Sequence, residues 1–330
     1  MKILRDYQYV SPEDRGASAA IGNFDGVHLG HQSVIALARK AAPNAPLGVL
    51  TFEPHPRAYF APDAPPFRLM SADARASRLE KMGVEQLFEL NFNAALASLT
   101  PREFAQRVIS EGFGLSHVIV GSDFCFGKGR VGTASDLQAL GGEMGFDVTI
   151  APLMEHTGVT VSSTAIRRAL SDGDPRSAAA MLGHWHRIEG PVIGGEQRGR
   201  QLGYPTANMS IDGLHPPAFG VYAVLVDVLE GPHEGSYHGV ASMGVRPMFG
   251  ENRPNLETFV FDFSGDLYGT QAAGAPGFSR PREKAPAEPG CSPLPRVPGI
   301  PSSLTAVARY PRISAGARGM ISSVSSTLSP

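Results

Sequence analysis

The chain has 330 residues, of which 38 are Gly and 28 are Pro; 42% are hydrophobic, 18% are charged, and the formal net charge is −2. Gly and Pro both penalise helix interiors, which excludes a single α-bundle, while the absence of a three-residue Gly period excludes collagen and the apolar content excludes uniform disorder. The near-neutral charge is unlike that of a general nucleic-acid binder, and two cysteines, Cys125 and Cys291, make no disulfide framework, which points to a reducing compartment such as the cytoplasm.

The N-terminus, Met1 to Val10, lacks the apolar core of a secretion signal, and no run of about 18 apolar residues appears, so no membrane association is expected. Ala17 to Ile21 reads as a buried strand ending in Gly22. Val34, Leu37, Ala38 and Ala41 then recur at helical spacing. Leu47 to Phe52 is a second strand. From Ala76 to Leu90 a helix, a stop at Gly83 and a strand follow in order. His117 to Gly121 is a strand running into a turn. Asp136 to Met144 is helical, Asp147 to Leu153 is a strand, and Thr164 to Leu170 is a helix opened by serines. Apolar strands alternating with helices predict a Rossmann-like α/β domain with a parallel sheet covered on both faces. After about Leu182 the texture becomes β-rich, with Gly, Pro and Asn between short runs, which predicts a small antiparallel β-barrel or sandwich. The boundary falls near Gly183–His186, giving domains 1–183 and 184–269.

Two constellations carry chemistry. In the first, Gly22 to His31 (GNFDGVHLGH) follows a buried strand and opens a helix, where free N–H groups and the positive dipole end attract phosphate. His28 and His31 stand at i and i+3 on one face, and Gly30 between them allows close approach of a nucleotide. Two imidazoles there can donate hydrogen bonds to phosphate oxygens as charge develops on a leaving group. One such histidine alone reads better as an ordinary surface residue at a helix start; the whole motif favours function. Ser162, Ser163 and Thr164 supply hydroxyls at another helix start, and Arg167 and Arg168 add cations, a set suited to the far end of a triphosphate. By themselves these five also fit a plain N-cap with a solvated basic face.

In the second constellation, Gly190 to Met209 is Gly-rich and ends in Pro205–Thr206–Ala207–Asn208. In extended chain Thr206 and Asn208 share one face, and a hydroxyl and an amide oxygen are hard ligands suited to Mg2+ on a nucleotide. Glu257, at the start of the run Leu256 to Phe263, can accept a proton from a substrate hydroxyl. Taken separately, the same three residues fit a turn and a solvated strand-end charge. Two decoys accompany these sets. Gly127 to Gly132 fits G-x-G-x-x-G with no helix opening directly from it, and His184 and His186 flank Trp185, a pattern that suits packing in a linker better than metal.

With Thr51 to Pro56 (TFEPHP), Asn91 to Asn93 and Val120 to Gly132 added, residues 15–183 resemble the nucleotidyltransferase half of the bacterial bifunctional riboflavin kinase/FMN adenylyltransferase (FAD synthetase) family. The Gly-rich turn, PTAN, Gly220 to Val224, Gly239 to Phe249 and Leu256 to Gly269 resemble its riboflavin kinase half. The resemblance implies that ATP, FMN and riboflavin are substrates with Mg2+ as cofactor, and that no nucleic acid is involved. It implies that His28, His31 and Arg167 serve adenylyl transfer. Gly22, Asn23, Phe24, Asp25, Gly30, Ser162, Ser163, Thr164 and Arg168 would line the ATP phosphates. Phe52, His55, Pro56, Asp123 and Phe124 would shape the nucleotide and flavin pockets. In the second half Gly195, Gly199 and Gly203 would approach phosphate, Thr206 and Asn208 would hold Mg·ATP, and Glu257 would be the base for the ribityl hydroxyl. Phe259 and Met248 depart from the residues common in the family. Other phosphorylated substrates for the first half, or a non-catalytic flavin-binding second half, are the alternatives.

The resemblance ends at Gly269. Residues 270–330 hold 10 Pro, 10 Ser and 6 Gly, with seven basic and two acidic residues. This composition suits a disordered tail or a change of reading frame near Tyr268–Thr270, and it predicts that the C-terminal part of the barrel is missing or replaced, leaving an unpaired edge.

Overall fold

The computed structural model describes residues 1–156, 158–193, 206–245, 254–265, 267 and 271–276. The N-terminal half is built on six parallel strands: β1 (Lys2–Leu4), β2 (Ser18–Ile21), β3 (Leu47–Glu53), β4 (Gln86–Asn91), β5 (His117–Gly121) and β6 (Asp147–Ala151). They stand in the order β1-β4-β3-β2-β5-β6. Both faces are buried, as the unbroken apolar runs required. Ala19, Leu50, Phe88 and Val118 point to one face, where Ile109, Phe113 and Leu137 cover them. Their neighbours Ala20, Val49, Leu87 and Ile119 point to the other, against Ile35, Ala38 and Leu79.

The predicted helices are present as α1 (Leu29–Ala41), α3 (Ala72–Lys81), α4 (Ala134–Met144) and α5 (Ser163–Ser171). Helices absent from the sequence expectations include α2 (Pro56–Phe60) and α6 (Pro175–Leu182); α6 is capped by Asp174 and stops at Gly183, whose φ is +73°. Helices α5 and α6 pack on each other around Leu69, Ile166, Leu170 and Leu182. A π-helical stretch, Ala105–Phe113, also escaped the sequence reading. Among the described residues no helix is long and apolar enough to cross a membrane.

The second half is a nearly closed antiparallel barrel of β7 (Ile188–Pro191), β8 (Thr206–Ser210), β9 (Gly220–Val228), β10 (Gly235–Val245), β11 (Pro254–Val260) and β12 (Gln271–Pro276). The order is β7-β12-β9-β10-β11-β8. Among the described residues a bridge, Ile193 N–H to Asn208 O at 2.9 Å, draws the two outer strands together. Tyr222, Val224, Val226 and Val228 alternate into its core beside Met209, Met243 and Leu256.

Strand β12 corrects one expectation. The sequence reading ends the barrel at Gly269, yet Ala272 to Pro276 pair with Val228 to Val224, and Gly274 to Gln271 pair with Ile188 to Pro191. Ala-Ala-Gly-Ala carries neither β-branched residues nor an alternating pattern, so no local signal announces it. Ladders on both sides supply the order instead. The predicted tail beyond Pro276 lies outside the described residues, as do Gly195, Gly199, Gly203 and Met248.

Candidate active site

Strand β2 lies between β3 and β5, so the chain reverses its direction of travel across the sheet there. The crevice beyond the strand ends at such a point is where open α/β sheets bind ligands. The loop that fills it is tightly wound: Phe24 has φ +51°, Gly26 +87° and Val27 +43°. A positive φ at a β-branched residue is costly and persists only where the surroundings enforce it. Phe24 and Val27 are fully buried, which provides that enforcement.

The loop ends in His28, the N-cap of α1, whose Nδ1 accepts the His31 N–H at 3.4 Å. An accepting Nδ1 places the ring proton on Nε2. The His28 and His31 rings stack at 3.6 Å between centroids and 17° between planes. Gly30 makes this possible, because a Cβ there would stand 3.2 Å from His28 Nδ1 and Cε1. Burial, and secondarily the charge of Arg167, push His28 down to about 4; burial and then His28 push His31 well below its ordinary value. Both rings are therefore neutral at pH 7. His31 Nδ1 is buried without a hydrogen-bond partner.

Helix α5 faces this loop. Ser162 caps it by accepting from Ala165 N–H, and Ser163 Oγ donates to Asp25 O at 2.9 Å. Arg167 donates to Phe67 O at 2.6 Å and to Asp25 Oδ2 at 2.5 Å. Asp25 Oδ1 accepts the Leu69 N–H at 2.8 Å. The Asp25 carboxylate is thus engaged in holding Arg167 and the 67–69 segment. Arg168 sits one helical step round, with its side chain 86% exposed and 3.8 Å from Asp172, so the structure does not bring it to the site. Thr164 is exposed at the first turn.

Beneath the loop runs a chain of alternating charges that sequence reasoning missed. Arg5 meets Glu89 at 3.0 Å; the fully buried Arg75 meets Glu89 at 3.1 Å and Glu53 at 3.0 Å; Glu53 meets Arg68 at 2.9 Å. Arg68 lies 3.9 Å from Asp25. Arg75 also reaches Asn23 O at 3.4 Å, supporting the loop from below. Glu53 ends β3 and Glu89 lies within β4, where the strand pattern gives no hint of pairing. A cleft of about 540 Å³, lined by Arg5, Tyr7, Glu53, Glu89, Asn91 and Asn93 among others, opens beside this chain. His55 caps α2 through Arg57 N–H and packs edge-on against Phe67, while Pro56 is the first residue of α2. Burial and then the Arg68, Arg167 and Arg75 cations lower His55 to about 4. Phe52 packs on Phe92, which also touches Tyr59 and Phe60. Asp123 is exposed beyond β5, and Phe124 stacks on Phe126 at 5.5 Å.

In the barrel, pairing of β8 with β11 sets Asn208 opposite Glu257 and Thr206 opposite Phe259. Thr206 Oγ1 donates to Glu257 Oε1 at 3.0 Å across the diagonal, and Asn208 Nδ2 donates to Thr206 O at 3.4 Å. Three residues read separately along the chain therefore form one cluster. Its hydroxyl, amide and carboxylate oxygens are a donor set that fits a hard divalent cation. Among the described residues no group of three or more His, Cys, Asp or Glu could hold a metal by itself.

The decoys resolve structurally. His184 lies 3.3 Å from Gly26 O and His186 3.1 Å from Leu69 O, both as packing groups in the linker. Gly127 and Gly132 press against Pro101 and frame a two-stranded turn. The helix expected from Asp136 begins two residues earlier, with α4 starting at Ala134 on a Thr133–Asp136 capping box behind this turn.

A family model described as FAD synthetase matches residues 10–165, and one described as riboflavin kinase matches residues 182–284, continuing past Gly269. The bifunctional riboflavin kinase/FMN adenylyltransferase of Pseudomonas fluorescens is 43% identical over 271 residues, spanning 81% of this chain and 86% of that one. The Escherichia coli K12 protein of the same description is 38% identical, spanning 82% and 86%. The Bacillus subtilis protein is 36% identical, spanning 81% and 85%. A crystal structure described as a macrolide-efflux protein from Streptococcus pneumoniae superposes with a TM-score of 0.72 at 32% identity, covering 87% of this chain and 92% of that one.

Proposed function

This chain belongs to the bifunctional riboflavin kinase/FMN adenylyltransferase family, and from that premise we propose which of its residues carry the two reactions of FAD biosynthesis. The barrel half phosphorylates riboflavin to FMN with ATP. The N-terminal half transfers AMP from ATP to FMN, giving FAD and pyrophosphate. We assign the first activity to residues 184–276 and the second to residues 1–183.

In adenylyl transfer the FMN phosphate attacks the α-phosphorus and pyrophosphate leaves in line, so positioning and charge stabilisation supply the rate. His28 donates from Nε2 to a phosphate oxygen, a tautomer supported by its accepting Nδ1. His31 offers the buried ring nitrogen that has no partner. Neutral imidazoles become better proton carriers once a polyanion lies against them. Arg167 supplies the fixed cation, with Asp25 holding its guanidinium, and Ser162 and Ser163 lie beside it at the start of α5. Arg168 and Thr164 have no such support. Phe52, His55 and Pro56 form the side toward the flavin, with Asp123 and Phe124 in the turn that follows β5.

In the kinase reaction Glu257 accepts the proton of the ribityl hydroxyl as it attacks the γ-phosphorus. Thr206 orients that carboxylate through the 3.0 Å hydrogen bond. Thr206 and Asn208 would hold Mg2+ together with ATP, and the ion would supply charge neutralisation for phosphoryl transfer. The near-neutral charge and two cysteines fit a cytoplasmic enzyme that handles small molecules.

The observation that carries this reading is the convergence of His28, His31, Ser163 and Arg167 at the β2 crevice, apart from the Thr206–Asn208–Glu257 cluster. Product analysis of the full chain with Mg2+, ATP and either riboflavin or FMN tests it. His28→Ala should lower FAD formation from FMN by about a hundredfold or more and leave riboflavin phosphorylation intact. Glu257→Ala should do the reverse. Equal loss of both activities in either variant refutes separate sites.

A further inference from the structure

The barrel touches the adenylyl-transfer half through the connection between β8 and β9. Ile211 and Leu214 anchor this loop in the barrel core. The next residue, His215, donates its backbone N–H to Arg68 O at 2.7 Å. Its Nε2 lies 3.0 Å from Arg167 O and 2.9 Å from Ser171 Oγ. A carbonyl only accepts, so the ring proton is on Nε2 and is given to Arg167 O. Three residues on, Ala218 N–H donates to Leu170 O at 2.9 Å.

The two carbonyls that His215 engages belong to the two arginines that flank Asp25. Each is gripped at its backbone by the barrel while its guanidinium faces the site. Helix α5 has nine residues. A helix this short is marginal alone, and tertiary contacts set its position. Its C-terminal carbonyls are taken by Asp172, Gly173 and Asp174 from its own chain continuation and by Ala218 from the barrel. His215 acts higher, at the residue that carries the cation.

We propose that His215 is a positioning residue for adenylyl transfer, reaching from the barrel to fix the backbone from which Arg167 and Arg68 project. The proposal rests on the assignment of Arg167 to the ATP phosphates given above. It makes the barrel a structural part of the neighbouring active site, in addition to housing its own.

The test uses the full chain and both assays. In His215→Ala, kcat for FAD formation from FMN should fall about tenfold, the size of one lost hydrogen bond at a placed group, with KM for FMN unchanged. Riboflavin phosphorylation should stay at its original rate. His215→Gln, which restores an N–H donor at similar reach, should recover most of the loss. An unchanged FAD rate in His215→Ala overturns the proposal. So does an equal fall in both activities, or a failure of Gln to restore, since either marks a merely structural contact. Arg167→Ala run alongside separates the two levels. Adenylylation that survives this change overturns the site reading, and this proposal with it. Loss in Arg167→Ala beside a silent His215→Ala overturns this proposal alone.

Discussion

Replacing Arg75 by Met tests the buried charge chain beneath the phosphate loop. Arg75 is fully buried, and its guanidinium meets Glu53 at 3.0 Å and Glu89 at 3.1 Å. Methionine fills much of the same volume, so the cavity contribution is small. The two carboxylates then differ. Glu53 keeps Arg68 at 2.9 Å. Glu89, with its side chain 7% exposed, keeps only Arg5, which is itself 67% exposed. An exposed cation is screened and compensates poorly. Breaking a buried pair by removing one partner costs about 3–5 kcal/mol. For a domain of this size that lowers the thermal midpoint on the order of 10 °C. Urea and thermal denaturation followed by circular dichroism measure both quantities. Adding Glu89→Gln to Arg75→Met removes the stranded charge and should recover a large part of the loss. A loss below about 1 kcal/mol in Arg75→Met would refute the argument, because it would mean the buried pair contributes no more than a surface pair. So would a double variant less stable than the single one.

Gly30→Ala should lower FAD formation about tenfold without touching riboflavin phosphorylation, because the added Cβ pushes His28 out of its stack on His31; steady-state rates of both reactions check it. Acid should destabilise the N-terminal half and the linker packed on it in a defined window. His28 and His186 are both lowered from 6.5 to about 4, so they stay neutral in the fold while the unfolded chain takes up protons below 6.5. Their contribution is complete above pH 6.5 and declines as pH falls toward 4, by at most about 3 kcal/mol each. Urea midpoints between pH 7 and pH 4.5 should fall accordingly, and a flat profile contradicts the assignment. Ala273→Asp places an unpaired carboxylate at a fully buried position between β7 and β9, at a cost of several kcal/mol. Riboflavin phosphorylation should be lost, and its survival would show that β12 is dispensable.

Much of the site was legible because its parts are local. His28 and His31 share a helix face by spacing alone, and the strand-to-helix turn before them is written in Gly22, Phe24 and Gly26. Ser162 and Ser163 announce a helix start whatever surrounds them. Thr206 and Asn208 fall on one side of an extended chain by the two-residue period. In each case the information lies within one turn or one strand, so backbone geometry is enough.

Other features depended on partners far along the chain. Arg167 and Arg168 are indistinguishable as neighbours in sequence; only the packing of α5 turns one toward Asp25 and the other to solvent. Asp25 looked like part of a phosphate loop, and tertiary contact gives its carboxylate to Arg167 and Leu69 instead. The pairing of Arg75 with Glu53 and Glu89 joins a helix to two neighbouring strands, and no periodicity encodes such a meeting. Glu257 stood alone until β11 paired with β8 in the register that faces it with Asn208.

The same division runs through the fold. Apolar runs of strand length alternating with helices were sufficient to specify a parallel sheet buried on both faces, since such a sheet leaves no polar side to its strands. The short β-runs after Leu182 were sufficient for a small antiparallel β-domain, with barrel and sandwich both open. Strand β12 was decided by tertiary structure alone. Its small residues express no preference of their own, and hydrogen bonds from β7 on one side and β9 on the other hold Gln271–Pro276 extended. Local propensity thus determined the elements and the chemistry-bearing motifs, while contacts between distant segments decided which charges meet and how the barrel closes.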